Sequence, residues 1–482
     1  MTDSGIIVST FVVYLVAVLG IGVVAWRRTN NLRDYILGGR SLGKWVTALS
    51  AQASDMSGWL LLGLPGYAYL AGLDSVWLLS GLLVGTYLNW KFVAERLRRA
   101  TERYGDALTL PDYFESRFGD RSRVLRLVSA IFILVFFTFY TSSGLVAGGK
   151  LFESVFGLPY LWAVTAGGFT VVLYTFFGGF LAVSWTDFLQ GCLMFLALLA
   201  VTVVGLDASG GFSGLGASLE AVNPNLLNPM ITLTGEPLGW ITIVSLLGWG
   251  LGYAGQPHIL ARFMAIHRPG DVGAARLIAM GWVSVALVAA TLVGLVGIGL
   301  MPQPLQGADS EKVFMLLARL LFHPVVAGIC LAGILAAVMS TADSQLLVAS
   351  SAVSEDFYKG MWRPDAGRVE LLWIGRLAVA VIALVAFYLA RDPDSKVLDL
   401  VAYAWAGFGA AFAPAIVLSL YWESMSRNGA LAGILGGGLT VIIWKQLSGG
   451  IFDLYEIVPG VLVSVICILV FSKIENLKIS KK

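Results

Sequence analysis

Long apolar runs, separated by short polar segments, extend along the whole chain. Runs of about 18 residues or more are long enough for a helix to cross a hydrocarbon core about 30 Å thick. The pattern predicts an all-α polytopic membrane protein with about thirteen transmembrane spans. Their approximate bounds are 5–26, 43–70, 74–94, 124–152, 159–177, 185–206, 237–261, 277–300, 324–352, 371–390, 397–421, 429–446 and 456–472.

Helix-breaking residues interrupt two of these spans near their middle. Span 2 contains SDMSGW followed by GLPG, and span 7 contains GWGLGYAGQPHIL. Irregular backbone at membrane depth is tolerated only beside protein or a water-filled cavity, although a packing kink is the alternative for either break alone. Spans 2 and 7 are five spans apart, so they cross in opposite directions. We therefore predict a broken-helix 5+5 inverted-repeat transporter fold with a binding site between the repeats.

This fold divides the chain into five segments. Residues 1–41 form an additional N-terminal span and a cytoplasmic loop, and residues 42–210 form the first repeat, spans 2–6. An external loop at 211–236 leads to the second repeat, spans 7–11, at 237–422. Residues 423–482 form two C-terminal spans and a cytoplasmic tail.

Lysine and arginine are distributed unequally between the two sides of the predicted membrane. One side holds 26 of the 32 basic residues, whereas the loop from Asp207 to Glu236 on the other side holds none. Cytoplasmic loops are enriched in these residues. The basic side is therefore expected to be cytoplasmic, with the N-terminus outside and the C-terminus inside.

The composition agrees with a membrane protein, because 57% of the residues are hydrophobic, only 13% are charged and the mean hydropathy is +0.81. All three cysteines fall in apolar runs, so they indicate neither a disulfide framework nor a metal site. No nucleophile–base pair, metal motif or nucleotide-binding loop indicates an enzyme. The sequence also lacks the repeated filter-like loops of a channel, and no output domain typical of a transporter-like sensor follows residue 473.

An acidic residue, Asp55, stands near the middle of span 2, about 16 Å along a helix from Lys44. A charged aspartate there costs roughly 2.5–3.5 kcal/mol and usually faces a cavity or a partner. No basic residue lies nearby in the sequence, so a bound cation would supply the missing charge. Ser340 and Thr341 of span 9 lie at a similar depth, and their hydroxyls suit sodium. A hydrogen bond to a carbonyl one turn earlier is their alternative role.

Three motifs, ASDMSGWLLLGLPG, GWGLGYAGQPHILARFMA and AAVMSTADSQLLVASSAVSEDFY, together resemble the sodium/solute symporter family. The similarity runs over nearly the whole chain. It implies a secondary active symporter of the bacterial inner membrane that works by alternating access, with the sodium ion as coupling ion and L-proline as substrate. Another small organic solute, such as pantothenate, a sugar or a sialic acid, is the alternative within the family.

The resemblance also implies the binding residues. The sodium site would comprise Ala53, Asp55, Met56, Ala337, Ser340 and Thr341, through backbone oxygens of the alanines and the methionine and through both hydroxyls. The substrate site would comprise Ser57, Gly58, Tyr140, Trp249, Tyr253 and Pro257. Backbone N–H groups at the break in span 2 suit a substrate carboxylate, and aromatic faces suit a secondary ammonium. Ordinary core or lipid contact is the alternative for Trp249 and Tyr253.

Two further hypotheses concern the cytoplasmic side. A second cation position would involve Asp187, Asp343 and Ser344, although Ser184 and Asp187 also have the spacing of a helix capping box. Arg40, before span 2, is predicted to be either a membrane anchor or a coupling and gate residue. His258 and Arg262 are expected to be inner-gate or snorkelling residues.

Overall fold

A helix occupies the position of every predicted span. The computed structural model describes residues 3–26, 36–177 and 179–480, so the basic loop that begins at Arg27 lies outside the described residues up to position 35. The helices carry the numbers of the spans they match. In order they are Asp3–Trp26; Lys44–Asp55 with Trp59–Gly63 and Leu64–Ala71; Ser75–Leu88 with Asn89–Ala94; Val124–Phe156; Tyr160–Phe177; Phe180–Ala208; Trp240–Gly248 with Trp249–Gly255 and Pro257–Ala265; Val272–Leu300; Pro324–Ser351 with Ala352–Trp362; Arg368–Leu389; Val397–Tyr421; Arg427–Trp444; and Ile457–Ser480.

Additional helices occupy the segments between some spans. Glu95–Arg103 and Leu110–Phe118 lie between spans 3 and 4, Gly211–Val222 lies in the predicted external loop, and Val313–Leu321 precedes span 9. Within the described ranges the only β pairing consists of two isolated bridges, Leu42 with Ile266 and Ile231 with Pro237. The prediction of an all-α fold is therefore confirmed.

Eight of the described helices are long and apolar enough to cross a membrane by length and composition, while some predicted spans are shorter or interrupted. The count of thirteen crossings therefore stays a prediction. Helix 6 begins at Phe180, five residues before the predicted bound, and helix 9 continues as a wide π-helical segment to Trp362. The five-segment division also stays a prediction.

Helices 9 and 11 form the centre of the molecule. In their most apolar windows 83% and 78% of the residues are buried, compared with 33% in helix 13 and 39% in helix 10. Helix 9 packs closely against helices 4 and 6, and helix 11 packs against the interrupted part of helix 7. Both predicted interruptions are present, in helices 2 and 7. The two broken helices therefore face the most deeply buried helices, which places the candidate site in the protein interior.

Candidate functional site

The interruption of helix 2 lies at residues 56–58. The first half ends at Asp55, Met56 leaves the helical conformation (φ −80°, ψ 68°), and the amide of Ser57 donates to the Asp55 carbonyl at 2.9 Å. A Cβ added to Gly58 would lie 2.7 Å from that of Ala147 in helix 4. Glycine is therefore favoured at position 58 by close packing against helix 4.

The hydroxyls of helix 9 reach the end of the first half of helix 2. Ser340 donates to the Ala53 carbonyl at 2.9 Å and to the Ala337 carbonyl at 3.2 Å, and Thr341 lies 3.4 Å from the same Ala53 oxygen. Ser340 thus makes both the predicted contact across helices and the alternative bond within its own helix. The structure brings together two carbonyls and two hydroxyls, which are ligands that suit a hard cation. The position of the Met56 carbonyl relative to these hydroxyls stays a prediction.

The Asp55 side chain is fully buried, and neither carboxylate oxygen has a hydrogen-bond partner among the described residues. Its carboxylate lies near the Tyr253 hydroxyl, but the two groups do not have the geometry of a hydrogen bond. The Asp55 backbone carbonyl accepts bonds from the Trp59 indole at 3.1 Å and from the Tyr140 hydroxyl at 3.3 Å. A buried carboxylate without a partner is costly, so this position requires a cation or a proton.

The interruption of helix 7 runs from Trp249 to Gln256. A tight helical segment, Trp249–Gly255, is followed by Gln256 in an extended conformation, and Pro257 occupies the start of the next helix. A Cβ added to Gly252 would lie 2.0 Å from the Trp405 indole nitrogen. Glycine at position 252 therefore lets the interrupted segment lie directly against helix 11.

Aromatic rings from helices 2 and 11 and from the segment before helix 13 surround Trp249. Its ring centroid lies 6.4 Å from those of Trp59 and Trp405 and 5.4 Å from that of Tyr455, while the Trp405 indole donates to the Trp249 carbonyl at 2.8 Å. The edge of Tyr253 meets Trp405 with 4.9 Å between centroids. We call the set Trp59, Trp249, Tyr253, Trp405 and Tyr455 the aromatic wall.

The structure brings five of the six predicted substrate residues to this region. Ser57 and Gly58 lie at the break beside Asp55, and Tyr140 bonds the Asp55 carbonyl from helix 4. Pro257 instead lines a small cavity of about 30 Å³ with Ile36 and Asp356, so a direct contact between Pro257 and substrate stays a prediction. Sequence reasoning missed three members of the wall. Trp59 directly follows Gly58 and could have been found, whereas Trp405 and Tyr455 have no local signal.

The predicted second cation position contains a buried guanidinium. Arg262 donates to an Asp187 oxygen at 3.0 Å, to the Ser50 hydroxyl at 3.1 Å and to the Ser344 hydroxyl. Ser50 also donates to the same Asp187 oxygen at 2.7 Å. Helix 7 thus folds Arg262 against helices 6 and 9, where it supplies a basic partner for Asp187 that is distant in sequence.

Two other expectations for this region are corrected. Helix 6 begins at Phe180, which places Asp187 inside the helix, so Asp187 is no capping residue. Arg262 is fully buried, which excludes snorkelling to the membrane surface. Asp343 is also fully buried, and one of its oxygens lies 3.4 Å from the Ser344 hydroxyl.

Arg40 is buried and linked to three segments on the side that is predicted to be cytoplasmic. It pairs with Asp106 at 3.0 Å, donates to the Thr101 hydroxyl at 3.1 Å and the Ala107 carbonyl at 3.0 Å, and bonds the Met264 carbonyl at 2.6 Å. Only 6% of the residue is exposed, so the membrane-anchor alternative is wrong. Arg40 joins the beginning of helix 2 to the end of helix 7, and a role in coupling stays a prediction.

Backbone contacts reinforce this junction. The Leu42 amide donates to the Ala265 carbonyl at 3.2 Å, and the His267 amide donates to the Leu42 carbonyl at 2.9 Å. Arg98 then donates to the Ile266 carbonyl at 2.7 Å. The end of helix 7 is thus held residue by residue against the loops that flank helices 2 and 3.

The sequence from residue 35 to residue 437 matches a family model described as the sodium:solute symporter family. The chain belongs to this family. The match covers both broken helices and all candidate sodium and substrate residues.

Relatives at high identity include two bacterial proline transporters. A sodium/proline symporter of Escherichia coli is 53% identical over 468 residues, covering 96% of this chain and 92% of the relative. A high-affinity proline transporter of Bacillus subtilis is 50% identical over 453 residues, covering 93% and 94% of the two chains. The prediction of a sodium-coupled symporter in the membrane is therefore confirmed at the level of the family.

Comparison with solved structures confirms the fold. A sodium-coupled sialic acid symporter in a substrate-bound outward-open state superposes with a TM-score of 0.78 at 18% identity, covering 97% of this chain and 98% of that chain. This symporter and the present chain therefore share the broken-helix transporter architecture despite their low sequence identity.

Proposed function

We propose that this symporter imports L-proline together with sodium by alternating access. One observation carries the proposal: the Ala53 carbonyl meets the hydroxyls of Ser340 and Thr341 two residues from the unpartnered carboxylate of Asp55. The relatives named as proline symporters support the identity of the substrate. The chain would move its substrate across the membrane without chemical change.

Sodium would bind among the carbonyls and hydroxyls at the Ala53 end of helix 2. In that position its charge compensates Asp55, either as a direct ligand or across one intervening group. Hydroxyl and carbonyl oxygens satisfy a small hard cation without adding charge. The aspartate therefore makes the site attractive to one monovalent cation.

L-proline would lie between the interruption in helix 2 and the aromatic wall. Backbone N–H groups freed at Ser57 and Gly58 suit the substrate carboxylate, because a helix terminus favours an anion. Trp249 and Tyr253 provide aromatic faces for the ring and the secondary ammonium. Since Asp55 and Ser57 are two residues apart, filling the sodium site also orders the substrate site, which supplies a coupling free energy.

We infer a cytoplasmic location for the Arg40 junction from the positive-inside distribution of basic residues. The N-terminus would then face outward and the C-terminus inward in a bacterial plasma membrane. The two repeats, spans 2–6 and 7–11, would move relative to each other around the central site. The Arg40 and Arg262 contacts would close the cytoplasmic side in the present conformation.

For Asp187, Asp343 and Ser344 we propose a transient station on the sodium exit route. Arg262 pairs with Asp187, and the second buried carboxyl group, that of Asp343, is joined to this pair through the Ser344 hydroxyl, which Arg262 also bonds. An ionised Asp343 would therefore add one negative charge that a passing cation can balance. Arg262 already occupies one Asp187 oxygen and the Ser344 hydroxyl, so a resident second sodium would require that side chain to move.

The proposal is tested by uptake of labelled L-proline into proteoliposomes that contain the purified protein. Inward sodium should drive accumulation, and choline in place of sodium at constant pH and voltage should abolish it. Equal uptake in both salts would refute sodium coupling. Accumulation of a different solute, with none of proline, would refute the substrate assignment alone.

A variant pair tests the substrate assignment in more detail. Trp249→Ala or Tyr253→Ala should raise the KM for proline by about tenfold or more, since truncation of an aromatic wall residue removes a large apolar contact. Tyr388→Ala, at an exposed tyrosine of helix 10, is the matched control. Unchanged proline affinity at saturating sodium would exclude Trp249 and Tyr253 from the pocket.

A further inference from the structure

The beginning of helix 13 reaches the aromatic wall from outside both repeats. Tyr455 precedes this helix, and its ring lies 5.4 Å from that of Trp249 at an interplanar angle of 32°. Its hydroxyl donates to the Ala402 carbonyl in helix 11 at 2.7 Å, and its amide donates to the Ser245 hydroxyl in helix 7 at 2.9 Å. One residue therefore connects helices 7, 11 and 13 beside the candidate substrate site.

The backbone of helix 7 is also fixed against helix 13 directly before Trp249. A Cβ added to Gly248 would lie 2.9 Å from Val458 and 3.4 Å from Ile457. Trp249 is thus held by its backbone on one side and by the ring of Tyr455 on its face. Its remaining neighbours in the wall, Trp59 and Trp405, each lie 6.4 Å away between centroids.

These contacts decide where the Trp249 ring lies. Because Tyr455 makes the shortest ring contact to Trp249, a smaller side chain at 455 leaves space into which the indole moves away from the substrate. One methylene more or less on a ligand changes its discrimination by an apolar pocket by about 10- to 200-fold, so the fit of the wall to the ligand ring matters. The size of the ring that the pocket accepts is therefore sensitive to position 455.

We propose that Tyr455 is a positioning residue that sets the ring-size selectivity of the substrate pocket through Trp249. The inference rests on the proposed function, since it concerns cyclic imino acids carried by the same site. It assigns to the C-terminal pair of helices, which lie outside the inverted repeat, a part in substrate selection.

The test compares sodium-driven uptake of imino acids with four-, five- and six-membered rings in proteoliposomes. Tyr455→Leu should raise the KM for proline by about two- to tenfold, the value of one aromatic contact. It should raise kcat/KM for the imino acid with a six-membered ring, relative to that for proline, by at least about threefold. The kcat for proline should stay within about twofold of the value for the unaltered protein. Tyr455→Phe keeps the ring and should retain the selectivity of the unaltered protein.

The control is Tyr160→Leu, because Tyr160 also donates its hydroxyl to a backbone carbonyl, that of Ala390 at 3.0 Å. It should leave the selectivity ratio unchanged even if it lowers stability. Should Tyr455→Leu fail to reach the membrane, Tyr455→Trp replaces it and should lower the six-to-five ratio by advancing the wall.

An unchanged ratio in the Leu and Trp variants, or an equal change in Tyr455→Phe and Tyr455→Leu, overturns the proposal while proline uptake itself persists. If the unaltered protein shows no sodium-dependent proline uptake, the proposed function fails and the inference falls with it.

Discussion

A buried ion pair on the side opposite the Arg40 junction offers a quantitative test of how the helices are held together. The Lys150 ammonium of helix 4 lies 2.6 Å from Glu311, and the two side chains are only 2% and 4% exposed. Glu311 also accepts bonds from the amides of Val397 and Leu398, at 3.0 and 3.1 Å, where helix 11 begins. The segment before helix 9 is thereby fixed to helices 4 and 11.

Lys150→Met leaves the Glu311 charge buried without its cation. Removal of one partner of a buried pair costs about 3–5 kcal/mol. The amides of Val397 and Leu398 continue to solvate the carboxylate, so we expect a loss at the lower end, about 3 kcal/mol. Adding Glu311→Gln removes the unpaired charge and should recover a large part of this loss.

The assay is the free energy of unfolding of the purified protein in mixed micelles, followed by circular dichroism as a denaturing detergent is added. Lys312→Met is the matched control, because Lys312 is 30% exposed and pairs with Asp309 at 2.9 Å and Glu153 at 3.6 Å. Exposed pairs contribute at most about 1 kcal/mol. The reasoning is refuted if Lys150→Met costs no more than Lys312→Met, or if Glu311→Gln recovers nothing in the double variant.

Three further predictions follow from the site. Ser340→Ala and Thr341→Ala should each raise the sodium concentration for half-maximal uptake by about tenfold or more, because each removes a cation ligand. Ser350→Ala on the same helix is the control and should not shift this concentration. Equal shifts in all three variants would contradict the assignment. Gly58→Val should reduce the amount of folded protein in the membrane, because its side chain would collide with helix 4, and normal yield on immunoblots would count against that packing. Asp343→Asn should slow sodium release if the position is a transient station. If a second sodium is resident there, the same variant should instead lower the Hill coefficient for sodium from near two to near one. No change in either quantity would refute both roles.

Much of the architecture follows from patterns that are local in sequence. Apolar runs locate the helices, and the density of glycine and proline locates both interruptions, because these residues act on the backbone where they stand. Asp55 is found for the same reason, since a lone acid in an apolar span has few inexpensive roles. Ser340 and Thr341 could be singled out by their depth, but only the resemblance favoured sodium binding over the bonds that such hydroxyls usually make within their own helix.

Contacts between distant helices were beyond such reasoning. Arg262 neutralises Asp187 from 75 residues away, and Tyr455 meets Trp249 across most of the second half of the chain. No residue near Asp187 in the sequence indicates a basic partner, and a helix cap was therefore a reasonable alternative. Arg40 resembles any basic residue at a membrane surface until the fold buries it against the Met264 carbonyl.

The buried cross-links also constrain how the site can open. The Lys150–Glu311 pair links helices on one side of the site, and the Arg40–Asp106 and Arg262–Asp187 pairs link them on the other, so we expect opening of either side to separate the pairs there. A sodium ion that crosses about 100 mV contributes about 2.3 kcal/mol, and a tenfold concentration gradient adds about 1.4 kcal/mol. A single broken buried pair costs about 3–5 kcal/mol, so separating the fully buried Arg262–Asp187 pair alone takes up about what one ion supplies. The Arg40–Asp106 pair adds less, because the Asp106 side chain is 33% exposed. The free-energy cost of opening one side must therefore be offset by hydration of the released charges or by new partners for them. The ion pairs on the other side must meanwhile stay intact. Sodium and substrate then shift an equilibrium between two conformations, each closed on one side. The free energy of the ion pairs that close each side is close to the free energy that the driving ion supplies.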